Sequence, residues 1–310
     1  MIQARHSLPQ GTLIDCYRVQ RLIGSGGFSL IYLADDEDVG GEVVIKEFMP
    51  KKLAYRDENL CVVPLNEQMA NNLNRGRALF FQEVAALSAL RHPNIATVRG
   101  FFLANRTAYM VMEYYRGKNL ATYIKQRQGE LSTHFILRVF MPILDAMSMI
   151  HSRLYLHLDI KPGNIHLRAG SEPVLLDFGA VHQWSDDRLR KTGQVVTAGY
   201  SPVEQYYQQG HIGPWSDVYA IGASIRACIE VRPAMTAIER HAHDTMVPAV
   251  EAFGDRYPLY LLQCIDWAMA LDPRRRPQNA GELLAALQNK SGPPGIATPP
   301  HNPRAGSWGV

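Results

Sequence analysis

The chain has 310 residues, of which 46% are hydrophobic and 20% charged, with a formal net charge of +3. That composition belongs to an ordinary globular protein, long enough for one large domain or two smaller ones. The mild charge argues neither for nor against nucleic acid, no Lys/Arg block resembles a nucleic-acid-binding tail, and no run approaches eighteen apolar residues or forms a signal-peptide core.

In chain order, residues 1–15 read as an N-terminal extension. YRVQRLIG from Tyr17, SLIYLA from Ser29 and EVVIKEF from Glu42 alternate or run apolar between Gly- and Asp-rich turns, which predicts three strands. The segment 49–76 is long for a connection inside a compact lobe. Its LCVVPL core suits a short strand pair. The remainder reads as a surface excursion, with a regulatory or partner-binding role as the alternative. A helix is predicted over ALFFQEVAALSAL, stopped before Pro93, and two more strands over NIATVRGFF and TAYMVMEYY.

From Asn119 the period changes. Ile136, Val139, Phe140, Ile143, Leu144, Met147 and Ile150 recur at spacings of three and four, a buried helical stripe. DVYAIGASIRACIE, YPLYLLQCIDWAMAL and AGELLAALQNK also read as helices. The expected class is α+β: a strand-rich lobe over 16–112 and a mainly helical lobe over 113–290. Residues 291–310, rich in Pro and Gly, read as a flexible tail or linker. Cys16, Cys61, Cys228 and Cys264 lack any CxxC spacing and read as reduced thiols of a cytosolic domain. His241 and His243 read as a solvated helix end rather than a metal pair.

The chemistry concentrates in three places. GSGGFS, Gly24 to Ser29, caps a hairpin, where backbone N–H groups can approach phosphate oxygens without a Cβ in the way. Lys46 in VVIKEF is flanked by apolar residues, and a buried ammonium needs an anion. Glu83, on a helix face with Phe80, Val84 and Leu87, is the available partner. HLDIKPGN then places Asp159, Lys161 and Asn164 on one loop, and Asp177 follows an apolar run in LLDFG. Asn164 and Asp177 offer oxygen ligands suited to Mg²⁺, Asp159 can take a proton, and Lys161 can neutralise charge. Phosphoryl transfer needs that set of parts.

Taken in order, the Gly-rich loop, VVIK, the helix glutamate, HLDIKPGN, DFG, TAGYSPVEQY, SDVYAIG and LDPRRRP resemble a eukaryotic-type (Hanks-type) protein kinase, from about Tyr17 to Leu287. The wording GYSPVEQY and IKEFMP is most similar to bacterial Ser/Thr kinases. The resemblance implies a bilobal fold and an ATP- and Mg²⁺-dependent Ser/Thr kinase, with Mn²⁺ as a substitute metal and protein Ser/Thr hydroxyls as acceptors. It implies that Lys46 pairs with Glu83 and holds the α/β phosphates. Asp159 would be the base, Lys161 the γ-phosphate contact, and Asn164 and Asp177 the metal ligands. Ile23, Gly24, Ser25, Gly26, Gly27, Phe28, Ile31, Val44 and His166 would surround the nucleotide. Met112 would be the gatekeeper, and backbone groups of Glu113 and Tyr115 would meet adenine. Glu204 should pair with Arg276, Asp217 should brace the catalytic loop, and Thr197 should line the acceptor site.

The chain departs from the family in five places, the first being Ser29 where the GxGxxG pattern ends in Gly. Val44 replaces the usual Ala, His166 an apolar residue and Val203 a Pro. Leu158 stands where many kinases carry an Arg that answers a phosphorylated activation loop. Phosphate on Ser185, Thr192 or Thr197 is therefore not expected to act through Leu158. A nucleotide-binding pseudokinase scaffold is the alternative, and a small-molecule kinase is disfavoured by the SPVE and LDPRRRP segments. Catalysis is expected in the cytoplasm, where ATP is.

Overall fold

A computed structural model describes residues 6–88, 90–129, 131–176, 182–183, 196–207 and 210–293, except the side chains of 83, 86, 87, 182 and 183. The chain divides into two units, Met1–Tyr123 with Arg153–Thr192, and Ile124–Ser152 with Gly193–Val310.

The first unit opens with β1 (Leu13–Ile14), β2 (Tyr17–Ser25), β3 (Ser29–Asp36) and β4 (Glu42–Phe48). A hairpin of β5 (Ala54–Arg56) and β6 (Val62–Pro64) follows, then α1 (Glu67–Ser88), β7 (Val98–Ala104) and β8 (Thr107–Glu113). Six strands form one antiparallel sheet in the order β1-β2-β3-β4-β8-β7. Lys46 lies opposite Ile31 on β3 and Met110 on β8, and Val44 lies opposite Leu33 and Met112. Because side chains alternate along a strand, these residues share one face, and Glu47, Ile45 and Tyr109 share the other.

The surface excursion expected over 49–76 is not what forms. Residues 67–76 are the first turns of α1, which runs ten residues and more upstream of the predicted start. Ahead of it the β5–β6 hairpin buries Ala54, Arg56 and Val62. The physical reason is Arg56. Its Nη2 meets Glu47 Oε2 at 2.5 Å, its Nε donates to the His6 carbonyl at 2.8 Å and its Nη1 to the Leu60 carbonyl at 2.7 Å. Glu47 is fully buried and accepts from the hydroxyls of Tyr32 (2.9 Å) and Tyr109 (2.6 Å) as well. The hairpin and the N-terminal segment are thus tied to the face of β4 opposite Lys46. Burial, reinforced by the Glu47 carboxylate, raises both phenol pKa values, so both tyrosines stay donors. For Arg56, burial works against the charge and Glu47 outweighs it.

Past the sheet, β9 (Lys118–Asn119) leads into α2 (Leu120–Arg127), within which the chain passes to the second unit. There α3 (Thr133–Ser152) carries the predicted stripe, with Ile136, Val139, Phe140, Ile143, Leu144, Met147 and Ile150 all buried. By length and mean hydropathy alone α3 is the one described helix that could cross a membrane, although Arg138 and Asp145 interrupt its apolar residues. Its stripe instead packs against α8 and α4, the place of a core helix. The chain returns to the first unit for β10 (Tyr155–Leu156), β11 (Ile165–Leu167), β12 (Pro173–Leu175) and β13 (His182–Gln183). The second unit is completed by α4 (Pro214–Glu230), α5 (Ala237–Ala242), α6 (Ala249–Ala252), α7 (Leu259–Ala268) and α8 (Ala280–Gln288). Its buried charges are paired: Arg276 holds Glu204 at 2.7 and 3.2 Å and lies 4.9 Å over the Tyr219 ring. His151 Nε2 lies 3.0 Å from Asp217. All four cysteines are free, and burial pushes the thiols of Cys228 and Cys264 up, the latter to about 12. His241 and His243 are exposed, and among the described residues no cluster has metal-ligand character.

Candidate active site

Every site element described below belongs to the first unit. The Gly-rich turn joins β2 to β3, closed by Gly26 N–H to the Ser29 carbonyl at 2.9 Å. Two further bonds, Met49 N–H to Phe28 O at 2.8 Å and Lys51 N–H to Gly27 O at 3.2 Å, tie the tip to the chain leaving β4. The Lys51 ammonium also reaches the Ser25 hydroxyl. A Cβ on Gly27 would meet nothing within 4 Å, and one on Gly26 only Ser29, so open space faces the turn where a ligand could approach. Phe28 at the tip and Ile23 are exposed, while Ile31, Val44 and Met112 are half-buried on the Lys46 face.

Lys46 is buried, with its ammonium 5.9 Å from the Phe80 ring of α1. That contact places α1 beside Lys46, as the pattern FFQEV suggested. The Glu83 side chain lies outside the described residues, and so do Asp177, Ser185 and Thr192.

The catalytic loop is short and tightly bonded. Leu158 has φ +60 and is buried, so the odd apolar residue of HLD is a core side chain at a sharp backbone turn. A left-handed non-Gly residue costs roughly 1–2 kcal/mol, which the burial of the Leu158 side chain offsets. Past the turn, both Asp159 carboxylate oxygens lie 2.8 Å from Lys161 Nζ. Asn164 Nδ2 donates to Asp159 Oδ2 at 3.0 Å and to its carbonyl at 2.9 Å. With both amide hydrogens engaged on Asp159, the Asn164 Oδ1 is the group left for a cation. The Asn164 backbone carbonyl accepts the Leu176 N–H at 2.8 Å, which pins the residue ahead of Asp177.

The linker after β8 closes the other side. Tyr115 Oη accepts Thr97 N–H at 3.1 Å, and Glu113 N–H is taken up by the Thr97 carbonyl at 3.0 Å. Any adenine contact by Glu113 therefore falls to its carbonyl. At Gly117, φ is +155 and a Cβ would sit 2.0 Å from Leu167 O, so only glycine lets the linker lie against β11. His166 on β11 is half-buried, bonded through its ring to the Tyr115 carbonyl, with Nε2 buried and without a hydrogen-bond partner. Burial lowers its pKa, against the opposing pull of the Tyr115 carbonyl.

That shift has a measurable consequence. Near neutral pH His166 is uncharged folded and unfolded. Below the usual value of about 6.5 the unfolded chain takes up a proton that the folded site resists, so stability falls. In nucleotide- and metal-free protein, wild type is expected to lose more stability than His166→Leu between pH 7 and pH 5. The slope of the difference is at most about 1.4 kcal/mol per pH unit. Urea titrations at each pH measure it, and parallel curves would refute the assignment.

Sequence reasoning missed the Arg56–Glu47 network behind Lys46 and the ties from Met49 and Lys51 to the Gly-rich turn. The only signal was the polar EF-MPKK continuation of β4, which has no period.

Comparison with known proteins identifies the family of the fold. A family model described as the protein kinase domain matches residues 17–285. The serine/threonine-protein kinase PknA of Nostoc sp. is 31% identical over 284 residues, covering 88% of this chain and 47% of that protein. PknJ of Mycobacterium tuberculosis, also named a serine/threonine-protein kinase, is 30% identical over 302 residues, covering 91% and 46%. The chain thus spans about half the length of these curated relatives. Among solved structures, PpkA-294 in its apo form superposes with a TM-score of 0.80 at 34% identity, over 91% of this chain and 99% of that one.

Proposed function

Because this chain belongs to the protein kinase family, we propose that it transfers the γ-phosphate of ATP to Ser and Thr hydroxyls of proteins, its own included. The observation that carries the reading is the Asp159 carboxylate, oriented by Lys161 and Asn164 while Asn164 Oδ1 is left unengaged by that cradle.

In this reading Asp159 orients the acceptor hydroxyl and takes its proton at a carboxylate oxygen. Lys161, two residues on, counters charge on the transferring group, a placement like that of Ser/Thr rather than Tyr kinases. Lys46, buried and held on a strand, meets the α/β phosphates with Glu83 as its partner. Backbone N–H groups of the Gly-rich turn approach the same phosphates, with Ile23, Gly24, Ser25, Gly26, Gly27, Phe28, Ile31 and Val44 around the nucleotide. Met112, His166, the Glu113 carbonyl and Tyr115 border the base. Asn164 through Oδ1 and Asp177 hold Mg²⁺, or Mn²⁺ in its place, which neutralises phosphate charge when bound. With Leu158 buried and uncharged, activation proceeds without a phosphate–arginine contact at that position. Retention of Lys46, Asp159 and Asp177 stands against a scaffold that binds nucleotide without using it. The reaction belongs to the cytoplasm, where ATP is.

The test is intact-mass analysis after incubation with Mg²⁺ and ATP. Phosphate increments should accumulate on the chain or on a generic basic protein and disappear with EDTA. Nucleotide binding without increments would turn the assignment to the scaffold.

A further inference from the structure

Of the stretch IKEFMPKK the proposed phosphoryl transfer uses only Lys46, and the residues that follow β4 have no part in it. Those residues do not leave the sheet where β4 ends. Ser29 on β3 lies opposite Phe48, and the pairing runs on past both. Met49 N–H donates to the Phe28 carbonyl at 2.8 Å and Lys51 N–H to the Gly27 carbonyl at 3.2 Å. The Lys51 ammonium then donates to the Ser25 hydroxyl. Two residues thus hold the Gly-rich turn at Ser25, Gly27 and Phe28, all of them exposed.

The chain that makes these bonds is itself fixed. Met49 is fully buried, and Pro50 is buried with its φ set by the ring. The Pro50 carbonyl accepts the N–H groups of Leu53 at 2.8 Å and Ala54 at 3.0 Å. Ala54 opens the hairpin that Arg56 ties to Glu47. Lys51 is therefore presented from a backbone held on both sides.

The register shows which side of the turn it grips. Opposite residues of an antiparallel pair project to the same face. Gly24 lies opposite Ile31, which shares the face of Lys46, whereas Ser25 lies opposite Leu30, itself opposite Glu47. The Ser25 hydroxyl is thus on the face away from Lys46. Lys51 holds the turn from behind, while the space beside Gly26 and Gly27 stays open to a ligand. Lys51 is half-buried, and among the described residues its ammonium forms no ion pair, so its acceptor is the hydroxyl of the turn.

We propose that Lys51 is a positioning residue for nucleotide binding, holding the Gly-rich turn in shape through Ser25 and Gly27 before phosphate arrives. This role rests on the reading in which the turn cradles the phosphates of ATP. A loop ordered only on binding loses affinity to that ordering, and a turn already held does not. Lys51 therefore touches no substrate, sets affinity for the phosphate part of the nucleotide and leaves that for the base alone.

Calorimetric titration of the 310-residue chain with MgADP and with adenosine, beside amide exchange in nucleotide-free protein, tests it. Lys51→Met removes the ammonium and keeps the stem and the backbone N–H. It should bind MgADP about fivefold more weakly than wild type, the net worth of one ordinary hydrogen bond. Adenosine affinity should not change, and the Gly26 N–H, which closes the turn on Ser29, should exchange faster. Lys51→Arg should restore most of the affinity. Ser25→Ala, at an exposed position, should repeat the loss, and it decides the matter if Lys51→Met fails to fold. The double variant should be no weaker than either single one, because both remove the same contact. Additive losses, equal losses for adenosine and MgADP, or weaker MgADP binding without faster exchange would each overturn the proposal. Unchanged MgADP affinity in Lys51→Met would overturn it and leave the nucleotide reading standing. A wild-type chain that binds no MgADP would overturn both.

Discussion

Asp159→Asn is expected to lower the rate of phosphoryl transfer by a factor on the order of 10²–10⁴, the usual share of a positioned general base. The substitution is nearly isosteric, so the loop should keep its shape. What changes is chemistry. An amide cannot take the proton of an acceptor hydroxyl, and it offers Lys161 one oxygen where the carboxylate offers two at 2.8 Å. Nucleotide affinity should change little, because Asp159 is not among the groups assigned to ATP. Single-turnover kinetics with a peptide acceptor, beside nucleotide titration, would separate the two. A rate within tenfold of wild type would remove Asp159 from its assigned role and leave the cradle around it a structural feature.

Arg56→Met is expected to cost about 3–5 kcal/mol of stability, because it leaves the Glu47 carboxylate in a fully buried position with only two phenol donors. Chemical denaturation would read the loss directly, and heating would show a Tm lower by roughly 6–20 °C. The double variant Glu47→Gln with Arg56→Met removes both charges and should recover most of the loss, since apolar or neutral replacement of a whole buried pair is often close to neutral. If the double variant is no better than the single one, the pair is not what holds the hairpin to β4. Glu47 follows Lys46 directly, so the single variant should also weaken nucleotide binding more than a surface change would. The strand that presents the ammonium loses its anchor on the other face.

Much of this was legible along the chain because it is local. The strands from Tyr17 to Phe48 announce themselves by alternation, and α3 by its stripe at spacings of three and four. Asp159, Lys161 and Asn164 lie within six residues, so the loop that carries them also brings them together. The Glu204–Arg276 pair was legible only through the resemblance, being 72 residues apart.

Tertiary structure alone decided the rest. The partners of Glu47 come from 9, 15 and 62 residues away, and Arg56 reaches back 50 residues to His6. Nothing periodic marks such residues, because a buried polar group is satisfied by whichever donors the fold brings near, not by its neighbours in sequence. The same holds for Arg226 on α4: an arginine on an apolar helix reads as ordinary until the fold shows it buried on Glu230 and the Val247 carbonyl, 21 residues away. Leu158 joins both cases. Its identity ruled out a phosphate-answering arginine from the sequence itself, but only the folded chain made it a buried residue at positive φ. Composition and period set which segments bury apolar surface; which polar groups must then meet is set by the geometry of packing those segments together.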